Sequence, residues 1–558
     1  MEVEGEGEWL NQDATKPVCV TFRNLSFGAK LRGRAAKIWV DGGGSATDTE
    51  EGTACGSMTC VKPILKSLTG VFSPGKMTAI MGASGAGKTT LLKAIAGEAV
   101  EGVLTGDVRV NGHVATTDDL RRVSGFVFQD DLLMATMTVR EAILFSARLR
   151  LPGGMSLQEK EMRVSHVIEL LHLGACADTV IGSSLAKGGI SGGEKKRVAI
   201  GMELVTNPPI LFLDEPTTGL DTYTAYSVMS TLKALAESGR TVVATIHQPS
   251  SDIFHIFDNL IVLAEGHIVY QGPAETMVLN FTQGMFLHCP PYVNPADFLF
   301  MQVLYDSHSQ GGDNDREASR QRSDTRAQLL LAAYRAAPLC QEWVEQNMSN
   351  AGEKMHMDIM SQRAGILEQI SIIGVRNVRN VSRNPMGARA KIMQSVFMGS
   401  VVALIFHGIG NNQTSTQDRL GSLFFSAMTM MNGAFSVLVL FGEERVIIQR
   451  EQALGLYSIS AYFVTKVVTE LPQNILGPLL QAVITFFPLG YHETYVSTGA
   501  EKFLIFASVV VLTANAGNGL GIFIASVFSD LRITLVAAPP MILPLMIFSG
   551  FFINTGFP

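Results

Sequence analysis

Eight residues, Gly82-Ala83-Ser84-Gly85-Ala86-Gly87-Lys88-Thr89, have the types and spacing to hold a chain of phosphates. Glycines let the backbone curl until successive N–H groups point at anionic oxygens, and a helix starting at the end of the loop adds its positive N-terminus to the same spot. Gly82, Ser84, Gly85, Gly87, Lys88, Thr89 and Thr90 are therefore the expected nucleotide contacts, with Lys88 reaching the β- and γ-phosphates and the Thr89 hydroxyl ligating Mg²⁺. Two later apolar runs deliver further chemistry. One ends in Asp214 and Glu215, and the other, residues 241–246, is followed by His247. Carboxylates at the C-terminal end of a buried strand suit metal holding by Asp214 and activation of a water by Glu215, while His247 is placed to touch a γ-phosphate. The chemistry is hydrolysis of a phosphoanhydride.

The elements that must position these groups are legible around them. Residues 77–81 read as a strand and 90–96 as a helix, which is the strand, turn and helix context that the loop requires. Residues 125–129 form an apolar run ending on Gln129, a position without meaning in isolation. At Ile190-Ser191-Gly192-Gly193-Glu194 two glycines open a helix and again expose N–H donors to an anion.

These stretches occur in one α/β pattern in the order loop, glutamine, Ser-Gly-Gly helix, Asp-Glu strand and histidine. The pattern resembles the nucleotide-binding domain of ATP-binding cassette (ABC) proteins. Carried over by motif, the resemblance makes Lys88 and Thr89 the Walker A pair, Gln129 the Q-loop residue serving both Mg²⁺ and catalysis, and Ser191, Gly192, Gly193 and Glu194 the signature. Asp214 and Glu215 match Walker B, Asp221 the D-loop and His247 the switch histidine. The signature reads ISGGE where LSGGQ is commoner, and Ala29 falls where a tyrosine often stacks on adenine. The resemblance implies that ATP and Mg²⁺ are bound between two chains, one lending Walker A and the other its signature, so a single copy of each motif implies a dimer.

The composition requires a second domain of another kind. With 558 residues, 47% of them hydrophobic, and a mean hydropathy of +0.24, the chain exceeds a single core and is apolar enough to lie partly in lipid. A net charge of −7 without a basic stripe argues against nucleic acid as a partner. The acidic N-terminus lacks a signal-peptide pattern, and the six cysteines, all before the apolar half, read as reduced thiols. The expected domains are a disordered 1–17, an α/β P-loop domain at 18–301 with a loop insertion at 41–56, a polar linker at 302–365, and an all-α polytopic transmembrane domain at 366–558. Five apolar runs, 392–409, 420–441, 462–491, 503–528 and 533–553, are each long enough to cross about 30 Å of hydrocarbon. Arg376, Arg379, Arg383, Arg389 and Lys391 precede the first run and mark that side as cytoplasmic. Five spans leave a sixth expected but missing.

A nucleotide domain placed before the membrane domain, with Asn294 to Phe298 between them and Glu443, Glu444, Arg445, Arg450 and Glu451 after the second span, looks like the G subfamily, or white type, of ABC half-transporters. That resemblance implies ATP-driven export of a lipid, sterol or other amphiphile, with a second half-transporter and membrane lipid as partners. A membrane-anchored regulatory ATPase that moves nothing is the alternative. The resemblance to half-transporters also implies that the charged segment 441–461, otherwise a solvated face, relays nucleotide closure to the spans, so that Arg450→Glu leaves ATPase activity while transport is lost. Several features have two readings: Lys466 and Glu470, four apart, pair inside the membrane or snorkel to its interface, Met428, Met430 and Met431 furnish an adaptable substrate surface or simply pack, and Asn412 begins a sequon in an outside loop. Gly517 and Gly521 form a small-xxx-small pair that packs helices either within one chain or between two.

Overall fold

The computed structural model describes residues 17–32, 59–98, 102–182, 188–285, 289–290, 293–304, 316–349, 364–410, 415–431, 433–492, 498–528 and 530–547. Residues 1–16 of the expected disordered 1–17, the insertion at 41–56 and the Asn412 sequon lie outside them. The chain divides into two compact units, the first Met1–Leu133 with Thr138–Arg363, the second Met134–Met137 with Ala364–Pro558.

The first unit is built on ten strands: β1 (Val20–Arg32), β2 (Thr59–Phe72), β3 (Met77–Gly82), β4 (Gly102–Val110), β5 (His113–Val114), β6 (Ser124–Val127), β7 (Ile210–Asp214), β8 (Thr241–Thr245), β9 (Asn259–Ala264) and β10 (His267–Pro273). They form two sheets, ordered β2-β1-β4-β5 and β10-β9-β3-β8-β7-β6. The first is antiparallel; the second is parallel except where β10 meets β9. Every residue of β3, β7, β8 and β9 is buried, as strands covered on both faces must be, so the strands read as unbroken apolar runs until a functional group ends them. Helix α1 (Lys88–Ala96) follows the phosphate loop, and its Leu91, Leu92 and Ile95 join Phe22, Phe72 and Phe212 in one core that ties both sheets together. In register, Asp214 at the end of β7 faces Thr245 at the end of β8, which pairs on its other side with Ile80 of β3. The sheet order thus brings the Asp-Glu carboxylates to the strand that carries the phosphate loop.

The stretch expected as a linker is in part helical. α3 (Arg316–Ala336) and α4 (Pro338–Ser349), numbered after the signature helix α2 (Gly192–Leu204), pack on β10 and β2. Ala327 and Leu330 are buried, Tyr334 packs against the main core, and Trp343 and Met348 cover Cys19 and Val71. A polar segment that cannot fold alone is ordered here by the apolar face its second half presents to the sheet edge, tertiary packing outweighing composition. Among the described residues Cys19, Cys176, Cys289 and Cys340 are free thiols.

The second unit is helical: α5 (Ile366–Arg383), α6 (Pro385–Ile405), α7 (Ser415–Met431), α8 (Gly433–Ala453), α9 (Ile459–Phe486), α10 (Gly499–Val527) and α11 (Leu531–Ile547). Among the described residues three stretches, Gly387–Ile405, Ser415–Gly442 and Gly499–Val527, are long and apolar enough to cross a membrane, and Leu531–Leu545 is a shorter apolar helix. α9 is long enough but carries Lys466 and Glu470. Lys466 does not behave as a snorkelling charge. It is 7% exposed and its ammonium lies 2.5 Å from Glu444 and 2.6 Å from Glu470, because two carboxylates inside the bundle outweigh the pull of the interface. Gly517 and Gly521 are both buried within the chain, and a Cβ on Gly521 would sit 2.8 Å from the Ala434 carbonyl, so glycine there lets α10 approach α8. Met431 packs beside the buried Ala434 and Leu438, in line with the packing reading.

The charged segment is likewise not a solvated face. Arg445 donates to the Ala525 carbonyl at 2.8 Å, and Glu451, 7% exposed, accepts from Arg376 at 2.6 Å and from the Tyr457 hydroxyl. Arg376 is 4% exposed and lies over the Tyr457 ring at 5.8 Å. One of the five cations counted for orientation is therefore spent on an internal pair.

Candidate functional site: the phosphate loop and its carboxylates

The phosphate loop adopts the backbone that only its glycines allow. Gly82, Gly85 and Gly87 have φ of 153°, 81° and 101°; a Cβ on Gly82 would sit 2.3 Å from the Leu263 carbonyl, whereas one on Gly85 would meet nothing within 4 Å. Gly82 is thus fixed by packing, and Gly85 faces open space beside the exposed Ser84. Lys88 is 7% exposed and its ammonium donates to the carbonyls of Gly82 at 2.8 Å and Ala83 at 3.0 Å. Burial pulls its pKa below the usual lysine value, and the nearby Glu215 and Asp214 oppose that pull.

The other groups converge on the same point. The Thr89 hydroxyl donates to Asp214 Oδ1 at 2.9 Å, and the Thr245 hydroxyl donates to the same oxygen at 2.7 Å. Glu215 Oε2 accepts from Gln129 Nε2 at 2.9 Å and from the Thr218 hydroxyl at 2.9 Å, and its own N–H donates to Thr245 Oγ1 at 2.8 Å. Its φ is 46°, a left-handed conformation that costs a non-glycine residue roughly 1 kcal/mol or more. Three hydrogen bonds hold the strained residue with its carboxylate turned toward Gln129. His247, two residues beyond β8, is exposed and stacks on Phe300 at 6.4 Å, in a π-helical turn at Leu299–Leu304.

The structure gathers Lys88, Thr89, Gln129, Asp214 and Glu215 within one chain and leaves the signature and D-loop residues to other work. Ser191 caps α2: its N–H donates to Glu194 Oε2 at 2.7 Å while the Glu194 N–H donates to Ser191 Oγ at 3.3 Å. This reciprocal cap accounts for glutamate in a glutamine position, since either side chain can close it. Burial raises the Glu194 pKa, but the Ser191 hydrogen bonds, together with Cys176 and the Arg197 charge, hold it below the ordinary glutamate value. Asp221 caps the next helix by accepting from the Thr224 N–H at 3.1 Å. Gly193 is packed so closely that a Cβ would lie 2.0 Å from the Thr224 methyl, while Gly192 stays exposed. Thr90 lies in the first turn of α1, half-buried next to Thr89. Ala29 sits inside β1, paired with Lys62 of β2 and Gly102 of β4, and packs on the core.

Four residues escaped the sequence reading. Thr245 and Thr218 orient the two carboxylates, and Phe300 stacks on His247. Lys196 of α2 is 1% exposed, donates to the Gln129 carbonyl at 2.8 Å and pairs with Asp131 at 2.9 Å, so the signature helix holds the backbone that presents Gln129. Its signal, one lysine in the run Lys195-Lys196-Arg197, is indistinguishable from a solvated charge.

A loop for phosphates with a threonine, an aspartate, a glutamate and a glutamine converging beside it defines a nucleotide-hydrolysing P-loop domain, here followed by a helical unit. The "ABC transporter" family model matches residues 65–218, and models described as "ABC-2 type transporter" match residues 368–557 and 247–368. The chain is 34% identical over 518 residues to the "Broad substrate specificity ATP-binding cassette transporter ABCG2" of Rattus norvegicus, covering 89% of this chain and 76% of that one. It is 34% identical over 506 residues to "Protein white" of Ceratitis capitata, covering 89% and 72%. With "ABC transporter G family member 7" of Arabidopsis thaliana it shares 32% identity over 551 residues, covering 97% and 71%. The chain belongs to the G subfamily of ABC transporters. It is an integral membrane protein with a cytoplasmic nucleotide-binding domain, and its ATP hydrolysis is coupled to transport across the membrane.

Proposed function

We propose that this chain is one half of a dimeric exporter that moves a lipid, sterol or other amphiphile through five or more membrane-spanning helices. In each site Lys88 and the loop N–H groups hold the β- and γ-phosphates of ATP, and Glu215 takes a proton from the attacking water. Gln129 and His247 position that water and the γ-phosphate. Ser191, Gly192 and Gly193 approach from the second chain, with Asp221 beside them. The observation that carries the dimer is the site itself: Walker A and Walker B groups are hydrogen-bonded into one cluster, while Ser191 and Asp221, among the described contacts, only cap their own helices.

The residues present also fit Mg²⁺, which binds through one or two carboxylates plus substrate phosphates and water. The Thr89 hydroxyl and Asp214 carboxylate already lie 2.9 Å apart at the loop, and Gln129, tethered to Glu215 through its Nε2, would offer its Oε1 as a third oxygen ligand. Mg²⁺ there would neutralise charge on the β- and γ-phosphates, leaving the protein to orient water and exclude competing solvent.

The dimer is tested by cysteine pairs. Ser84 and Ser191 are both exposed, so Ser84→Cys and Ser191→Cys chains can be mixed and treated with a short thiol cross-linker. A covalent dimer that forms with ATP and not without it is expected. Cross-linking indifferent to ATP, or none, would refute the shared site.

A further inference from the structure

Strand β6 ends at Val127, which pairs with Leu213 of β7, and the next residues, Phe128 to Asp131, run on without a strand ladder. A side chain from another element holds them. The Lys196 ammonium donates to the Gln129 carbonyl at 2.8 Å and to the Phe128 carbonyl at 3.5 Å, and it lies 2.9 Å from Asp131 Oδ1, so its three protons have three partners in this one short loop. An ammonium that is 1% exposed is costly to bury unless it is paired and hydrogen-bonded, and Lys196 meets that condition with the loop where it stands.

Lys196 belongs to α2, one turn beyond Gly193. At the start of that helix Ser191 and Gly192 are exposed, Gly193 is packed against Thr224, and further along Val198, Ala199 and Ile200 are buried in the domain. A helix transmits displacement as a rigid element, so a shift of its first turn is carried to Lys196 and from there to the loop. At the far side of the loop the Gln129 amide nitrogen reaches Glu215 at 2.9 Å. We propose that Lys196 is a positioning residue for hydrolysis and a link between the two sites: it locks the Gln129 loop to the signature helix, so that a second chain's nucleotide seated on Ser191 and Gly192 sets this chain's own Gln129 against Glu215. Lys196 acts through Gln129 and is not itself catalytic. This rests on the two-chain reading of the site and adds a route by which one bound nucleotide regulates hydrolysis of the other.

ATP hydrolysis by the purified full chain in phosphatidylcholine vesicles is measured against ATP concentration. Lys196→Met alone strands the Asp131 carboxylate, so the main variant joins Lys196→Met with Asp131→Asn, which removes both charges and keeps the domain folded, as thermal unfolding verifies. Its kcat should fall about tenfold while KM for ATP stays within about twofold, because the phosphate loop is untouched. In a Gln129→Ala background the same pair of changes should cost less than about twofold more, whereas a merely structural role would multiply the two losses. The Hill coefficient for ATP, greater than one in wild type, should fall to about one. Asp131→Asn alone leaves the Lys196 bond to the Gln129 carbonyl and should retain at least about half of the wild-type kcat. Wild-type kcat in the paired variant, losses that multiply with Gln129→Ala, a Hill coefficient equal in wild type and variant, or an Asp131→Asn loss as large as the paired variant's would overturn the proposal. Absence of ATP-dependent cross-linking between the Ser84→Cys and Ser191→Cys chains speaks against the two-chain site instead, since the Gln129 cycle is read within one chain.

Discussion

Glu215→Gln is expected to bind ATP with near-normal affinity and to hydrolyse it about 10²- to 10⁴-fold more slowly, the range that a positioned general base contributes. The substitution is close to isosteric. An amide oxygen can still accept from Gln129 Nε2 and from the Thr218 hydroxyl, and the Glu215 N–H still donates to Thr245, so the left-handed backbone is retained. What disappears is the basicity that would take a proton from water. Turnover of radiolabelled ATP and equilibrium binding of a fluorescent ATP analogue, measured on one preparation, separate the two effects. Hydrolysis within a fewfold of wild type would remove Glu215 from the role of base. The companion change Thr245→Val leaves the base in place but withdraws a donor from Asp214 and an acceptor from the Glu215 N–H, so it should lower kcat through misplacement and lower thermal stability as well.

Glu451→Leu is expected to destabilise the helical unit severely. It leaves the Arg376 guanidinium, 4% exposed, without its carboxylate, and removes the acceptor of the Tyr457 hydroxyl. Stranding one partner of a buried pair costs about 3–5 kcal/mol, which for a unit of this size lowers the melting temperature by on the order of 10 °C. The double change Arg376→Met with Glu451→Leu should recover much of the loss, because it removes both charges and leaves apolar atoms in their place. Thermal unfolding in detergent, followed by loss of the monodisperse peak, reads both variants. A single variant as stable as wild type would mean the pair is solvated. The expected effect of Arg450→Glu, ATPase retained and transport lost, is then read most cleanly on a sample whose Arg376–Glu451 pair is intact.

The catalytic strands were legible because each is an unbroken apolar run that stops at a functional group: β7 at Asp214 and Glu215, β8 shortly before His247. The phosphate loop was legible because three glycines at fixed spacing meet a backbone demand that few other sequences meet. Thr245 and Lys196 were not, since a buried threonine or lysine looks like any other until the fold supplies its partner, and the exposed Thr218 looks like any other turn residue. The Lys466–Glu470 pair was legible as one of two readings because the two stand four residues apart, whereas Glu444 beside Lys466 and Arg376 beside Glu451 were not, because those partners stand 22 and 75 residues away. α3 and α4 were read as linker for a related reason. Their composition is polar, and the face that folds them, Ala327, Leu330 and Trp343, acquires meaning only against the sheet it covers.

ATP-driven movement of an amphiphile in sealed vesicles tests the central claim most directly. Vesicles carrying the full chain with nucleotide domains outward should accumulate at least one amphiphile in an ATP-dependent manner, and vesicles carrying Glu215→Gln should accumulate none above the no-ATP control. Steady ATP hydrolysis by the wild-type chain with no ATP-dependent accumulation across a panel of sterols, phospholipids and dye amphiphiles would contradict the account.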